Sequence, residues 1–333
     1  MPSTEDEQLL KVSDLSVEYN TSEGNLLALD DFSLELNRGE TYALVGESGA
    51  GKSTVGKAIL GLIQSPGEIT SGQILYGGKD LLTLSKRELS QIRGDEIAMI
   101  FQEPNEALNP VLTIGQQLKR IAKHHHPDLT NNEIQSKIIR ALEQVQIPNP
   151  GERLDAYPVQ FSGGMSQRVV IAMTILCEPN LLIADEPTTK LDQTIGAHVL
   201  DLLGSIFTER NTSILMVTHN MGIAANYCDR VGVMYAGKKV EEGGAADILS
   251  KPRHPYTKDL MQCIPRPDKS PTEKMHTIPG SMPTPIDLPN VCYYANRCSM
   301  SREECYEKEP PLDPVNPSDN HRTACYFHEE LPQ

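Results

Sequence analysis

The sequence offers no apolar run able to cross a bilayer. Its most apolar stretch, Val169 to Leu176 (VVIAMTIL), falls far short of the roughly 20 residues that a span needs, so no membrane-crossing helix is expected. The opening stretch MPSTEDEQLLKVSDLSVEY lacks the basic and apolar regions of a secretory signal, and a protein made and kept in the cytosol is expected. Positive charge is scarce: 30 Lys and Arg stand against 45 Asp and Glu, a net charge of −15. That balance opposes adhesion to phosphate backbones and anionic lipid, so no nucleic acid partner is expected. Cysteine is sparse as well, and in a reducing compartment the seven residues are expected as thiols or metal ligands rather than disulfides.

A chain of 333 residues exceeds the ~250–300 at which one core stops growing, and one large domain with an appendage is expected. Near its start, TYALVG (Thr41 to Gly46) reads as a buried strand and STVGKAILGLI as a helix. Between them, GESGAGKS matches the phosphate-binding loop G-x-x-x-x-G-K-[ST]. Glycines let successive amides turn toward phosphate oxygens; Lys52 supplies charge for the β- and γ-phosphates, Ser53 a hydroxyl for Mg²⁺, and the helix its N-terminal dipole. Gly46, Ser48, Gly49, Ala50, Gly51, Lys52, Ser53 and Thr54 are thus the expected ATP contacts.

Two further stretches belong to the same chemistry. LLIADEP (Leu181 to Pro187) is an apolar strand ending in Asp185, suited to Mg²⁺, and Glu186, suited to polarising an attacking water. FSGGMSQR (Phe161 to Arg168) presents Ser162, Gly163 and Gly164 at the start of a helix, a second place for an anion.

With these three motifs in order, residues ~8 to 333 resemble the nucleotide-binding subunit of ATP-binding cassette (ABC) transporters. The resemblance implies an α/β P-loop ATPase core with an antiparallel β subdomain and a helical subdomain at about 90–165. It also implies a head-to-tail pair, in which each ATP lies between one P-loop and the partner's Ser162–Gly164 segment. Tyr19 matches the aromatic residue that stacks on adenine, and Gln102 in MIFQEPNEALNP the glutamine that touches Mg²⁺ and the attacking water. His219 in MVTHN matches the histidine that contacts the γ-phosphate, and Asp192 in PTTKLD the aspartate that crosses the dimer interface. Catalysis is thereby assigned to Glu186, His219 and Gln102, and Mg²⁺ ligation to Ser53 and Gln102. Lys190 departs from the pattern, standing where a small residue is usual.

Ile134, Ile138, Ala141, Leu142 and Val145 repeat at helical spacing after LTNN, within the expected helical subdomain. His124 to His126, adjacent and without spaced partners, are expected to be a solvated loop. Beyond about residue 250 the chain becomes proline-rich, and an irregular extension with little core of its own is expected, giving domains of 1–252 and 253–333. HPYTKDL, IPG and the cysteine cluster, in this order, resemble the C-terminal extension of oligopeptide and dipeptide importer ATPases. MIFQEPNEALNP and FSGGMSQR resemble that branch too, departing at Glu103, at NEA and at Ser166.

Cys292, Cys298, Cys305 and Cys325 all lie in this extension, whereas Cys177, Cys228 and Cys263 read as packing residues. Four thiolates suit tetrahedral zinc or an iron–sulfur cluster; the resemblance implies a [4Fe–4S] cluster at these positions. It further implies peptide import, with nickel, glutathione or oligosaccharide import as alternatives within the branch. The implied partners are a second, related ATPase subunit, two transmembrane permease subunits and an external substrate-binding protein, with this chain peripheral on the cytoplasmic face of the cell membrane. A soluble ATPase switch is the reading from another class. The single P-loop and the absence of heptads oppose it, and an exporter ATPase is opposed by the extension.

Overall fold

The structure, a computed structural model, describes residues 8–189, 191–264, 276–316 and 320–331, so Lys190 lies outside it. The chain divides into two compact units, residues 1–83 with 216–333 and residues 84–215.

The first unit holds an antiparallel sheet in the order β2-β1-β4-β5, built from β1 (Gln8–Thr21), β2 (Gly24–Asn37), β4 (Gly67–Tyr76) and β5 (Lys79–Asp80). In the second half of β2, Phe32, Leu34 and Leu36 are buried while Ser33, Glu35 and Asn37 face outward, the period of two that one covered face demands. In the same unit β3 (Thr41–Val45) runs parallel to β9 (Arg230–Tyr235), and β10 (Lys238–Gly244) lies antiparallel to β9. Tyr42 to Val45 are wholly buried, as a parallel strand covered on both faces requires.

The helix after the phosphate-binding loop spans Lys52–Ile59 and ends four residues before the apolar spacing predicts. Gly61 adopts φ +59, the left-handed conformation that ends helices, and the remaining apolar residues follow outside it.

The extension shares a core with the sheet instead of building one alone. Tyr235, Tyr256 and Tyr294 are fully buried and meet edge-on or tilted, with ring centroids 4.7 to 5.2 Å apart. Its root is the Glu241 carboxylate, wholly buried on β10, which accepts the backbone N–H groups of Arg253 and His254. The same carboxylate lies 2.7 Å from His321 Nε2, and two short strands, β11 (Asp313–Pro314) and β12 (Arg322–Thr323), continue the sheet from β10.

In the second unit β6 (Ile97–Ile100) and β7 (Leu181–Asp185) pair in parallel. Helices Ile114–His125, Asn131–Gln144 and Gly163–Cys177 pack on one another. The first two start with capping boxes, Thr113 with Gln116 and Thr130 with Glu133, and the predicted Ile134, Ile138, Ala141, Leu142 and Val145 are all buried. Val169 to Leu176 lie in the third helix, buried on nearly every side, which explains their unbroken apolarity. No described helix is long and apolar enough to cross a membrane.

The expected solvated histidine loop is not one. His124 and His125 close the helix Ile114–His125, and His125 Nδ1 lies 2.6 Å from Asp95 with its side chain only 9 % exposed. Burial holds the His125 pKa below its ordinary value despite that carboxylate.

Candidate functional site

The phosphate-binding loop is glycine where nothing else fits. A Cβ on Gly46 would stand 2.2 Å from the Met234 carbonyl oxygen, and Gly51, at φ +99, would place one 2.4 Å from the Ala28 oxygen. The loop is tied to its own unit by Gly237, whose N–H donates to the Ala50 carbonyl at 3.0 Å. Lys52 is 6 % exposed and folds back over the loop, its Nζ donating to the Gly46 and Glu47 carbonyls at 2.9 and 2.8 Å. An arriving phosphate offers the ammonium a charged acceptor in exchange for these neutral ones.

Tyr19, on β1, lays its ring against Gly67, where a Cβ would stand 2.6 Å from a ring carbon. His219 follows β8 (Ser213–Thr218) and is exposed.

In the unit of residues 84–215, Asp185 ends β7 and is 3 % exposed. Glu186 follows at φ +46, a left-handed conformation costly for a side chain with a Cβ. Its Oε2 accepts from Gln102 Nε2 at 3.1 Å and from Thr189 Oγ1 at 2.8 Å. Two residues expected in catalysis are thus in contact. Thr189 escaped sequence reasoning, although a hydroxyl three residues beyond the carboxylate, in the turn closed by Thr189 N–H to the Glu186 carbonyl, was a usable signal.

Ser162, Gly163 and Gly164 open the helix Gly163–Cys177 as predicted, with the Ser162 hydroxyl accepting from Met165 N–H at 3.3 Å. Asp192 caps the helix Gln193–Glu209, its Oδ1 accepting from Ile195 N–H at 3.0 Å. Both anchor their own helix in addition to any contact they make elsewhere.

Among the described residues no group of three or more His, Cys, Asp or Glu is arranged to hold a metal ion. Cys292, Cys298, Cys305 and Cys325 nevertheless line one small cavity with apolar neighbours, among them Met300, Pro310 and Phe327. Burial pushes the Cys292 thiol up to about 11 and Cys325 up to about 12 and raises Cys298, and each of the three is raised further by neighbouring thiols. Cys177 and Cys228, half-buried elsewhere in the chain, are also pushed up to about 12 by desolvation, as inert packing thiols are.

Known proteins supply the context. A family described as ABC transporter matches residues 29–189, and one described as Oligopeptide/dipeptide transporter, C-terminal region, matches residues 240–305. The dipeptide transport ATP-binding protein DppD of Bacillus subtilis is 43% identical over 325 residues, covering 97% of this chain and 96% of that protein. The oligopeptide transport ATP-binding protein OppD of Salmonella typhimurium is 43% identical over 309 residues, covering 93% and 91%. Among solved structures, the dimeric post-hydrolysis state of the cassette MJ0796 bound to ADP and Pi is similar at TM-score 0.65 and 26% identity. It covers 71% of this chain and 99% of that one.

Proposed function

Because the chain belongs to the ATP-binding proteins of ABC transporters, in the oligopeptide/dipeptide branch, we propose that its ATP hydrolysis powers import of peptides across the cell membrane. The observation that carries the catalytic part is Glu186 held by Gln102 and Thr189 at the end of β7. A carboxylate so oriented accepts a proton from water attacking the γ-phosphate, while Asp185, Ser53 and Gln102 hold Mg²⁺. Lys52 and the amides of residues 46–54 cradle the phosphates, Tyr19 stacks on the base and His219 meets the γ-phosphate. Ser162, Gly163, Gly164 and Asp192 face the ATP of the partner subunit.

The partner is a related, non-identical ATPase subunit. Two permease subunits and an external substrate-binding protein complete the complex, and this chain is peripheral on its cytoplasmic side. Residues 1–252, with the helical subdomain at 90–165, form the nucleotide-binding domain and residues 253–333 the extension.

The four cysteines would hold a [4Fe–4S] cluster in preference to zinc: all four line one cavity of the extension, and their spacing lacks the tight C-x2–4-C knuckle that zinc sites commonly use. Such a group would draw the proton off each thiol and staple the extension.

The test is the complex reconstituted in vesicles with its permeases and binding protein, supplied with labelled peptide outside and ATP on the cytoplasmic side. Peptide uptake that stops when Glu186→Gln replaces this subunit supports the proposal. ATP hydrolysis that neither drives uptake nor responds to peptide would overturn it.

A further inference from the structure

Glu47, the second residue of the phosphate-binding loop, carries a negative charge in a loop whose task is to receive a polyanion. A carboxylate about 4 Å from a phosphate charge would cost on the order of 1–4 kcal/mol, depending on the local dielectric. The extension answers it. Arg297 Nη1 reaches Glu47 Oε1 and Oε2 at 2.9 and 3.2 Å, from a side chain only 6 % exposed.

The guanidinium is fixed before it meets the carboxylate. Arg297 Nε donates to the Pro279 carbonyl at 2.8 Å and Nη1 to the Tyr235 hydroxyl at 3.2 Å, and the group lies over the rings of Tyr235 and Tyr294. A second contact from the extension grips the loop backbone, with Glu47 N–H donating to the Tyr256 hydroxyl at 2.8 Å. Lys52 Nζ binds the carbonyl of the same residue.

We propose that Arg297 is a positioning residue for ATP binding: it neutralises Glu47 and, with Tyr256, fixes the path of the phosphate-binding loop from outside. The inference rests on the ATPase reading above and gives the extension a part in it. Arg297 acts by holding Glu47, so the energetic consequence of losing it is an uncompensated carboxylate beside the triphosphate.

Charge and scaffolding predict different double variants. With the full-length chain, titration calorimetry with ATP and Mg²⁺ is expected to show Arg297→Ala binding about tenfold more weakly, roughly 1.4 kcal/mol. Arg297→Lys, which keeps the charge but loses the fork, is expected to recover part of the affinity and to fold if the alanine variant does not. The combination Arg297→Ala with Glu47→Gln is expected to regain most of the loss, because the charge to be offset is gone. Wild-type affinity in Arg297→Ala, or a double variant no better than the single one, would overturn the inference. A wild-type chain that binds no ATP would instead strike the ATPase reading itself.

Discussion

Gln102 Nε2 donates to the Glu186 carboxylate at 3.1 Å, and this joins two loops that follow the neighbouring strands β6 and β7. With Thr189 on the same oxygen, the bond uses Oε2 and directs the rest of the carboxylate, on a backbone already in the left-handed region. Glu186→Gln is therefore expected to keep ATP binding and to lower turnover by at least ~100-fold, as loss of a general base does. Thr189→Val, which removes one of the two donors, is expected to lower it by a smaller factor. Phosphate release by the purified complex measures both, and near-normal turnover in Glu186→Gln would dismiss the assignment.

Lys52 gives up two neutral acceptors to meet a phosphate, so its removal subtracts charge from the cradle. Lys52→Ala is expected to weaken ATP binding by at least about tenfold. Calorimetry that found the affinity unchanged would count against the loop as the nucleotide site.

The cysteine cavity predicts a coloured protein. Anaerobic purification is expected to give a brown preparation with broad absorbance near ~400 nm and about four iron atoms per chain, both lost when Cys292, Cys298, Cys305 and Cys325 are replaced. A colourless anaerobic sample with one zinc per chain would reject the cluster and retain the site.

Glu242 sits 5 % exposed among three donors: Tyr42 Oη at 2.8 Å, Arg230 Nη2 at 2.7 Å and Lys239 Nζ at 2.6 Å. Burial pushes its pKa upward, but Lys239, Tyr42 and Arg230 outweigh it and hold the carboxyl below its ordinary value. The folded pKa being the lower, this stability is fully present above the unfolded carboxylate pKa of about 4.3 and is lost as pH falls below it. Glu242→Gln takes the carboxylate from Lys239, whose side chain is 7 % exposed, while Arg230 keeps Glu40 at 3.1 Å, and is expected to destabilise by about 3 kcal/mol at pH 7. Urea melts at pH 7 and below pH 4 check both parts: the gap between wild type and variant should narrow in acid.

Much of this was readable from residue order. The run TYALV followed by GESGAGKS was legible as a buried strand and a phosphate loop, because its three glycines sit where the loop needs close approach or positive φ. The helix Asn131–Gln144 was legible from Thr130, Glu133 and the spacing of Ile134 to Val145. His125 was not, because its partner Asp95 lies thirty residues earlier in the chain and local polarity resembled a loop. The tyrosine core of the extension was hidden for the same reason, since Tyr235, Tyr256 and Tyr294 come from three separate segments. Nor does spacing relate Arg297 to Glu47, two hundred and fifty residues apart.

Glu241 gathers both roots of the extension, the amides of Arg253 and His254 and the ring of His321, onto one buried carboxylate. The mouth of the intervening stretch is thereby sewn shut at the sheet. Lengthening a segment whose ends are already fixed costs only ~0.6 kcal/mol per doubling. Descent can therefore vary what lies between the roots while the stitch itself stays in place.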